Sequence, residues 1–400
     1  MVSFGLAACG PIDGEGFAED DARHVAQVQE PAFATTPRDR QAAAVVARVV
    51  NGNTELWVFA CGADHVMRQR VQSATGRWGD WSAVPGNWPC YSAPSVGKWV
   101  GGTPQETIGL YYRGGTNQKR LVEVWYASDG STAATDLSVQ GGFGDIAGNP
   151  AVVDAVDKPG MSQRMAVAVK RASNNEVFTF DLYQGSWHIQ SAGMKAEGND
   201  FGVSYRQYSK NYFSAQENGG TSWILSRTTW TQGYSRIGKF INTLGPEWTG
   251  VVNFGRPSSA CTAAGCALVR RELDSSLRWG QPWLSGGSSG IVPFTNSVTG
   301  SAYSAPTGDN RNALIGFGSG GLARINFSTG AVQFIQTADV YSAGSLVVNG
   351  ENSGPTAAAV YISRNTNDPA TARRLMFIRL DDIGGAGRQD LQYPGNVLVQ

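Results

Sequence analysis

Five arginines recur at one place in a repeated pattern: Arg113 in YYRGG, Arg171 in VKRASN, Arg227 in LSRTTW, Arg271 in VRRELD and Arg364 in ISRNTN. Each closes a short apolar run and opens a polar turn, and Cys61 and Ser319 take the same place in two further copies. A guanidinium offers a planar fork of donors suited to carboxylates, phosphates or vicinal hydroxyls. The same residues have a plainer use, in which each pairs with an acid such as Glu123, Glu176 or Glu272 and ties neighbouring segments together. The 12 tryptophans suggest a second chemistry, the stacking of an indole face on a sugar ring. Trp78 and Trp81 in RWGDW, and Trp279 and Trp283 in RWGQPW, fall in outer strands. Residues three apart on a strand face opposite ways, so Trp78 and Trp81 are not expected to share one platform. Core packing is the expectation for them, and more so for Trp57, Trp125 and Trp223 inside apolar runs.

Catalytic sets are missing by comparison. The histidines are His24, His65 and His188, far apart in the chain, and no HExxH, GxSxG or GK[ST] phosphate loop occurs. A propeller sialidase would need an arginine cluster with Tyr and Asp, which the recurring arginines keep open. Its S-x-D-x-G-x-x-W turns are absent, because SATGRWGDW lacks the Asp. No DxDxDG calcium loop is present, so neither a metal nor a cofactor is expected. The 32 Lys and Arg balance 32 Asp and Glu, which gives no basic field for nucleic acid and no polybasic membrane patch.

The elements that must position the arginines come in repeated units. Residues 42–86, 93–142 and 149–193 each contain four short strand-like runs separated by Gly, Asn, Asp and Ser. Residues 202–241, 249–286, 292–338 and 345–393 continue the rhythm with drift. Four strands per unit of this length predict an all-β, seven-bladed β-propeller of four-stranded antiparallel blades, with six blades as the alternative. Runs such as AAAVVARVV are apolar at successive positions and need cover on both faces, which stacked blades supply. The 51 glycines suit the many tight turns. Either residues 24–36 or the final NVLVQ is expected to close the ring.

In a propeller the second-to-third-strand turns and the blade-to-blade crossovers share one face, so the arginines should line a single rim. Cys61, at the end of a second strand, and Cys90, in a crossover, fall on that face and are expected to form a disulfide. Cys261 and Cys266 bracket a short TAAG turn and form the second expected pair. Chain entropy gives about 3.5 kcal/mol for the first bridge and about 2 kcal/mol for the second. Metal binding is the alternative, but neither pair is a CxxC. Disulfides imply an oxidising compartment.

The amino terminus agrees. LAAC, with Cys9 followed by Gly10, resembles a bacterial lipobox, whose cysteine carries lipid. The apolar segment before it is short and lacks Lys or Arg, so the expectation is a start upstream and a remnant of a signal segment at 1–9. Residues 10–40, with Asp13, Glu15, Glu19, Asp20, Asp21 and Glu30, then form a flexible acidic tether, and 41–400 a single propeller domain.

The stretch LWVFACGADHVMRQRVQSATGRWGDW resembles blades of the PLL-like seven-bladed fucose-binding lectins and the tectonin group. IGLYYRGGTNQKRLVEVWY is similar in rhythm to blades of fungal fucose lectins. The resemblance covers about three blades. It implies a non-catalytic glycan-binding propeller with pockets between neighbouring blades, although that family's Arg and acid pairs do not recur blade by blade here. The expectation is therefore an exported, lipid-anchored bacterial propeller whose partners are glycans. The alternatives are a scaffold for envelope proteins and a glycosidase or lyase. Membrane association would run only through the lipid on Cys9, at the bacterial cell envelope or outside the cell.

Overall fold

The computed structural model describes residues 43–99, 106–153, 166–183, 186–196 and 388–398, together with the strands between 202 and 379. The first sheet consists of β1 (Ala43–Val50), β2 (Asn53–Cys61), β3 (Met67–Gln72) and β4 (Ser82–Ala83). The second holds β5 (Ser95–Trp99), β6 (Thr107–Gly114), β7 (Arg120–Tyr126) and β8 (Thr132–Asp136). The third holds β9 (Ile146–Val153), β10 (Ala166–Arg171), β11 (Glu176–Tyr183) and β12 (Ser186–Lys195). Each of these three runs antiparallel in simple sequence order, and seven sheets are present among the described residues, one of them five-stranded with a parallel edge strand.

Local sequence explains the first hairpin. Asn51 and Gly52 both take positive φ, at 50° and 77°, forming the two-residue turn whose twist matches the strands it joins. Val50 then pairs with Asn53 and the ladder runs back to Ala43 opposite Ala60. The consecutive apolar residues of β1 divide between two cores. Ala43, Val45 and Ala47 join Ala358, Val360, Ile362, Leu375 and Phe377 of the seventh sheet. Ala44 and Val46 join Val96, Ile108, Leu110 and Tyr112 of the second. Tyr111 and Leu121, on the far side of that second sheet, pack with Val167, Val169 and Phe180 of the third. A strand covered on both faces has no polar side to alternate with.

The first strands of the first five sheets touch in succession, that of the sixth touches that of the seventh, and that of the seventh touches β1. Sheets set around an axis with their first strands innermost make a β-propeller. The last sheet takes Val340–Asn349, Thr356–Arg364, Arg373–Arg379 and Arg388–Asp390 from the end of the chain. Beyond it the chain crosses to the first sheet. Ala63 N–H donates to Asn396 O at 2.7 Å, Leu398 N–H to Cys61 O at 2.7 Å, and Val397 bridges to Gly62. Of the two expected closures, the NVLVQ segment makes this contact, and residues 24–36 lie outside the described residues.

Some expectations need correction. Trp78 and Trp81 do sit on one side: Trp78 Nε1 donates to Gln389 Oε1 and Trp81 Nε1 to Leu391 O, both at 2.6 Å. Their rings meet Phe377 and Tyr393 edge-on at 5.0 and 4.8 Å, and both flank Arg70. Residues 79–81 belong to no strand, so the alternation of a pleated strand does not govern them. Trp57 and Trp125 pack against the cores as expected. Trp279 lies in the third strand of its sheet, Leu277–Gly280, because the fourth strand is Ser289–Ile291. In the sixth unit an extra strand, Ser304–Gly308, pairs in parallel with Val340–Asn349 and touches β1 and β5. It covers an inner strand edge that would otherwise offer unpaired N–H and C=O groups.

Candidate ligand-binding rim

Across the first three sheets, the turns after the second strands and the crossovers are stitched into a rim by backbone hydrogen bonds. Cys90 N–H donates to His65 O at 2.9 Å, Tyr91 N–H to Arg113 O at 2.8 Å, Ile146 N–H to Lys119 O at 2.7 Å and Ala172 N–H to Asp145 O at 2.9 Å. The Cys61–Cys90 disulfide lies on this rim, as its placement in the sequence required, with the two Cα atoms 6.0 Å apart.

Between the seventh and first sheets, Arg68 grips Asp64 with both terminal nitrogens at 2.9 and 2.6 Å. Its Nη1 also donates to Tyr393 Oη at 3.3 Å, and its guanidinium lies 5.6 Å from that ring. The hydrogen bond from Arg68 holds the Asp64 carboxyl below the usual range.

Between the first and second sheets, His65 takes φ 62°, stacks on Tyr91 at 4.3 Å and places Nδ1 3.0 Å from Cys90 O. Arg113 reaches back into this junction. It donates to Tyr91 O at 2.6 Å and Gln118 O at 3.1 Å, while its own N–H donates to Ser92 Oγ at 2.8 Å. Arg113 therefore ties turn to crossover through backbone carbonyls.

Between the second and third sheets, Arg171 stands over two phenylalanines, 4.6 Å from the Phe143 ring and 4.1 Å from the Phe178 ring. Those rings meet edge-on at 5.0 Å and form an aromatic floor. Arg171 Nε is buried without an acceptor, and the side chain makes no hydrogen bond or ion pair among the described residues. Glu176 bonds instead to Ser191 Oγ and Asn174 Nδ2. Asp145 accepts from Asn117 Nδ2 at 2.9 Å and lies 3.9 Å from Arg120, which also approaches Asp136 at 3.7 Å.

Deeper in the same junction, Glu123 is 3% exposed. It accepts from Tyr111 Oη at 2.9 Å and from the indoles of Trp125 and Trp187. Burial pushes its carboxyl up to about 7, outweighing these three donors, and burial pushes the Tyr111 phenol well up too. Glu123 and Glu176 are thus occupied with partners other than the arginines the plainer reading gave them.

Arg227, Arg271 and Arg364 each end the second strand of their sheets, in register with Arg171, but their side chains lie outside the described residues. Glu272, Trp283, Cys9, Cys261 and Cys266 also lie outside the described residues, and so do the side chain of Trp223 and the tether. Among the described residues no three His, Cys, Asp or Glu side chains gather closely enough to hold a metal ion. No described helix is long and apolar enough to cross a membrane. Sequence reasoning missed Phe143, whose signal is an aromatic stranded among glycines in GGFGD. It also missed the Asp64–Arg68 pair, which the four-residue spacing in DHVMR does not reveal without the turn.

No family model matches the chain, and no curated protein matches it. Among solved structures, the BP39L lectin of Burkholderia pseudomallei superposes with a TM-score of 0.59 at 11% identity, over 86% of this chain and 96% of that one. Puromycin hydrolase superposes with a TM-score of 0.51 at 12% identity, over 88% of this chain and only 54% of that one. The Aleuria aurantia lectin, described as a six-bladed β-propeller with a novel fucose recognition mode, gives a TM-score of 0.45 at 10% identity over 90% and 97%. At these identities the first two likenesses establish a shared fold and nothing about chemistry.

Proposed function

We propose that the chain is a seven-bladed β-propeller that binds glycans without chemistry on the rim of turns and crossovers. The single observation that carries the reading is Arg171, a half-buried cation fixed over Phe143 and Phe178 with no hydrogen bond or ion pair among the described residues. An arginine set by aromatic contact, and not by hydrogen bonds, keeps its planar fork for hydroxyl or carboxylate oxygens of a sugar. Arg227, Arg271 and Arg364, at the same register position, are the further candidates in their sheets. Arg113 contributes by holding its crossover in place.

Export belongs to the same proposal. The Cys61–Cys90 bridge persists in oxidising compartments, and Cys9 is the proposed lipid attachment that would place the protein at a bacterial envelope. A glycan array probed with the full chain tests the reading. Binding to a defined glycan set, lost in Arg171→Ala with an unchanged melting temperature, is the expected outcome. Silence across the array together with co-purification of envelope proteins would replace it with the scaffold reading. Turnover of a chromogenic glycoside would replace it with a hydrolase.

A further inference from the structure

Resting on the glycan-binding reading, we infer that the junction between the second and third sheets takes an acidic sugar through its carboxylate. The three described junctions differ in how their arginine is compensated. Arg68 is neutralised by both oxygens of Asp64. Arg113 spends its terminal nitrogens on two backbone carbonyls. Arg171 has neither an acid nor a carbonyl among the described residues.

Three acids on the turn and crossover segments around this junction are already committed. Glu176, on β11, is held by Ser191 and Asn174. Asp145, in the crossover, is held by Asn117 with Arg120 beside it. Asp136, at the end of β8, accepts from Ser138 N–H at 2.8 Å and also faces Arg120. Among the described residues, a positive charge is left without its counter-charge over a floor of two phenylalanines. Charge-assisted bonds strengthen beside apolar surface, and a planar guanidinium matches a carboxylate through two parallel bonds. A neutral sugar would meet the donors but leave the charge uncompensated.

Access is open. The crossover reads Gly141, Gly142, Phe143, Gly144, and a side chain built at Gly142 or Gly144 would meet nothing within 4 Å. Positive φ at Gly141, Gly142 and Gly144, at 58°, 67° and 88°, lets the chain fold back while Phe143 turns inward beneath Arg171.

The test titrates the full chain by calorimetry with three disaccharides: one carrying a uronic acid, its carboxyl-reduced neutral counterpart, and a sulfated neutral one. The uronate is expected to bind at least tenfold more tightly than the reduced sugar, with affinity falling as salt is raised. Arg171→Met keeps an apolar stem over the rings and should erase that preference, while Arg171→Lys should keep a weaker one. Equal binding of the uronate and reduced sugars, both weakened in Arg171→Met, overturns the carboxylate and leaves the glycan reading standing. Tighter binding of the sulfated sugar overturns the carboxylate in favour of a sulfate. A uronate preference that persists undiminished in Arg171→Met overturns the site. Binding of none of the three overturns this inference, and a silent glycan array would separately overturn the reading beneath it.

Discussion

Glu123 is a side chain whose environment changes its acid–base chemistry. A carboxyl enclosed by a phenol and two indoles gains donors but loses water, and the loss dominates, so its affinity for a proton rises to about 7. The folded chain therefore holds this proton more tightly than the unfolded chain does. The stabilisation is fully present below the ordinary carboxyl range and fades as pH rises toward the folded value, in a window from about 4.5 to 7. The fade should amount to roughly 3 kcal/mol at most. Glu123→Gln keeps an acceptor for Tyr111 and cannot ionise. Urea midpoints are expected to fall between pH 5 and pH 8 for the native chain and to stay nearly level for the variant. A parallel fall in both would show that another group sets the pH dependence. None of this is visible in RLVEVWY, where Glu123 reads as one more candidate partner for an arginine. One of its donors, Trp187, sits 64 positions away on another sheet.

At the scale of elements, the turns and crossovers matter more than the strands for what the rim can hold. Arg113 and Arg171 occupy matching strand ends, yet one is a tie and the other an open cation. The difference lies in the crossover each one meets. Tyr91 presents a backbone carbonyl to Arg113, whereas GGFGD presents the buried Phe143 ring to Arg171. Arg113→Ala should therefore cost about 1–3 kcal/mol by leaving two carbonyls without their donor. Thermal unfolding should show this loss, while glycan binding that depends on Arg171 survives. Arg171→Ala should give the reverse pattern. Strand existence and order were legible from apolar runs bounded by turn residues, as β1 and β2 show. The irregular path at Gly79, Asp80 and Trp81 was not legible, because a period-2 rule applies only where a ladder holds the pleat.

For the molecule as a whole, ring closure concentrates at the first sheet. Packing of the seventh sheet, the crossing of residues 396–398 and the Cys61–Cys90 bridge all converge at the end of β2. Replacing both cysteines by alanine should lower stability by about 3.5 kcal/mol, from a sequence separation of 29. The loss should appear in unfolding curves under oxidising conditions and vanish when the native chain is reduced. Limited proteolysis should cut the reduced native chain first near residues 391–398, whose anchor at Cys61 O and Gly62 the bridge steadies. Unchanged protease resistance after reduction would separate the bridge from closure.

The repeat, the strands, the apolar runs needing cover on both faces and the pairing of Cys61 with Cys90 were determined by the chain alone. Each follows from local periodicity or from the order in which elements must leave and return to a face. Which arginine is spent and which is free was decided only by tertiary structure. So was the side on which Trp78 and Trp81 lie, and so was the raised proton affinity of Glu123. Those properties depend on groups brought together from separate sheets, and burial and charge compensation arise between neighbours in space that no spacing along the chain encodes.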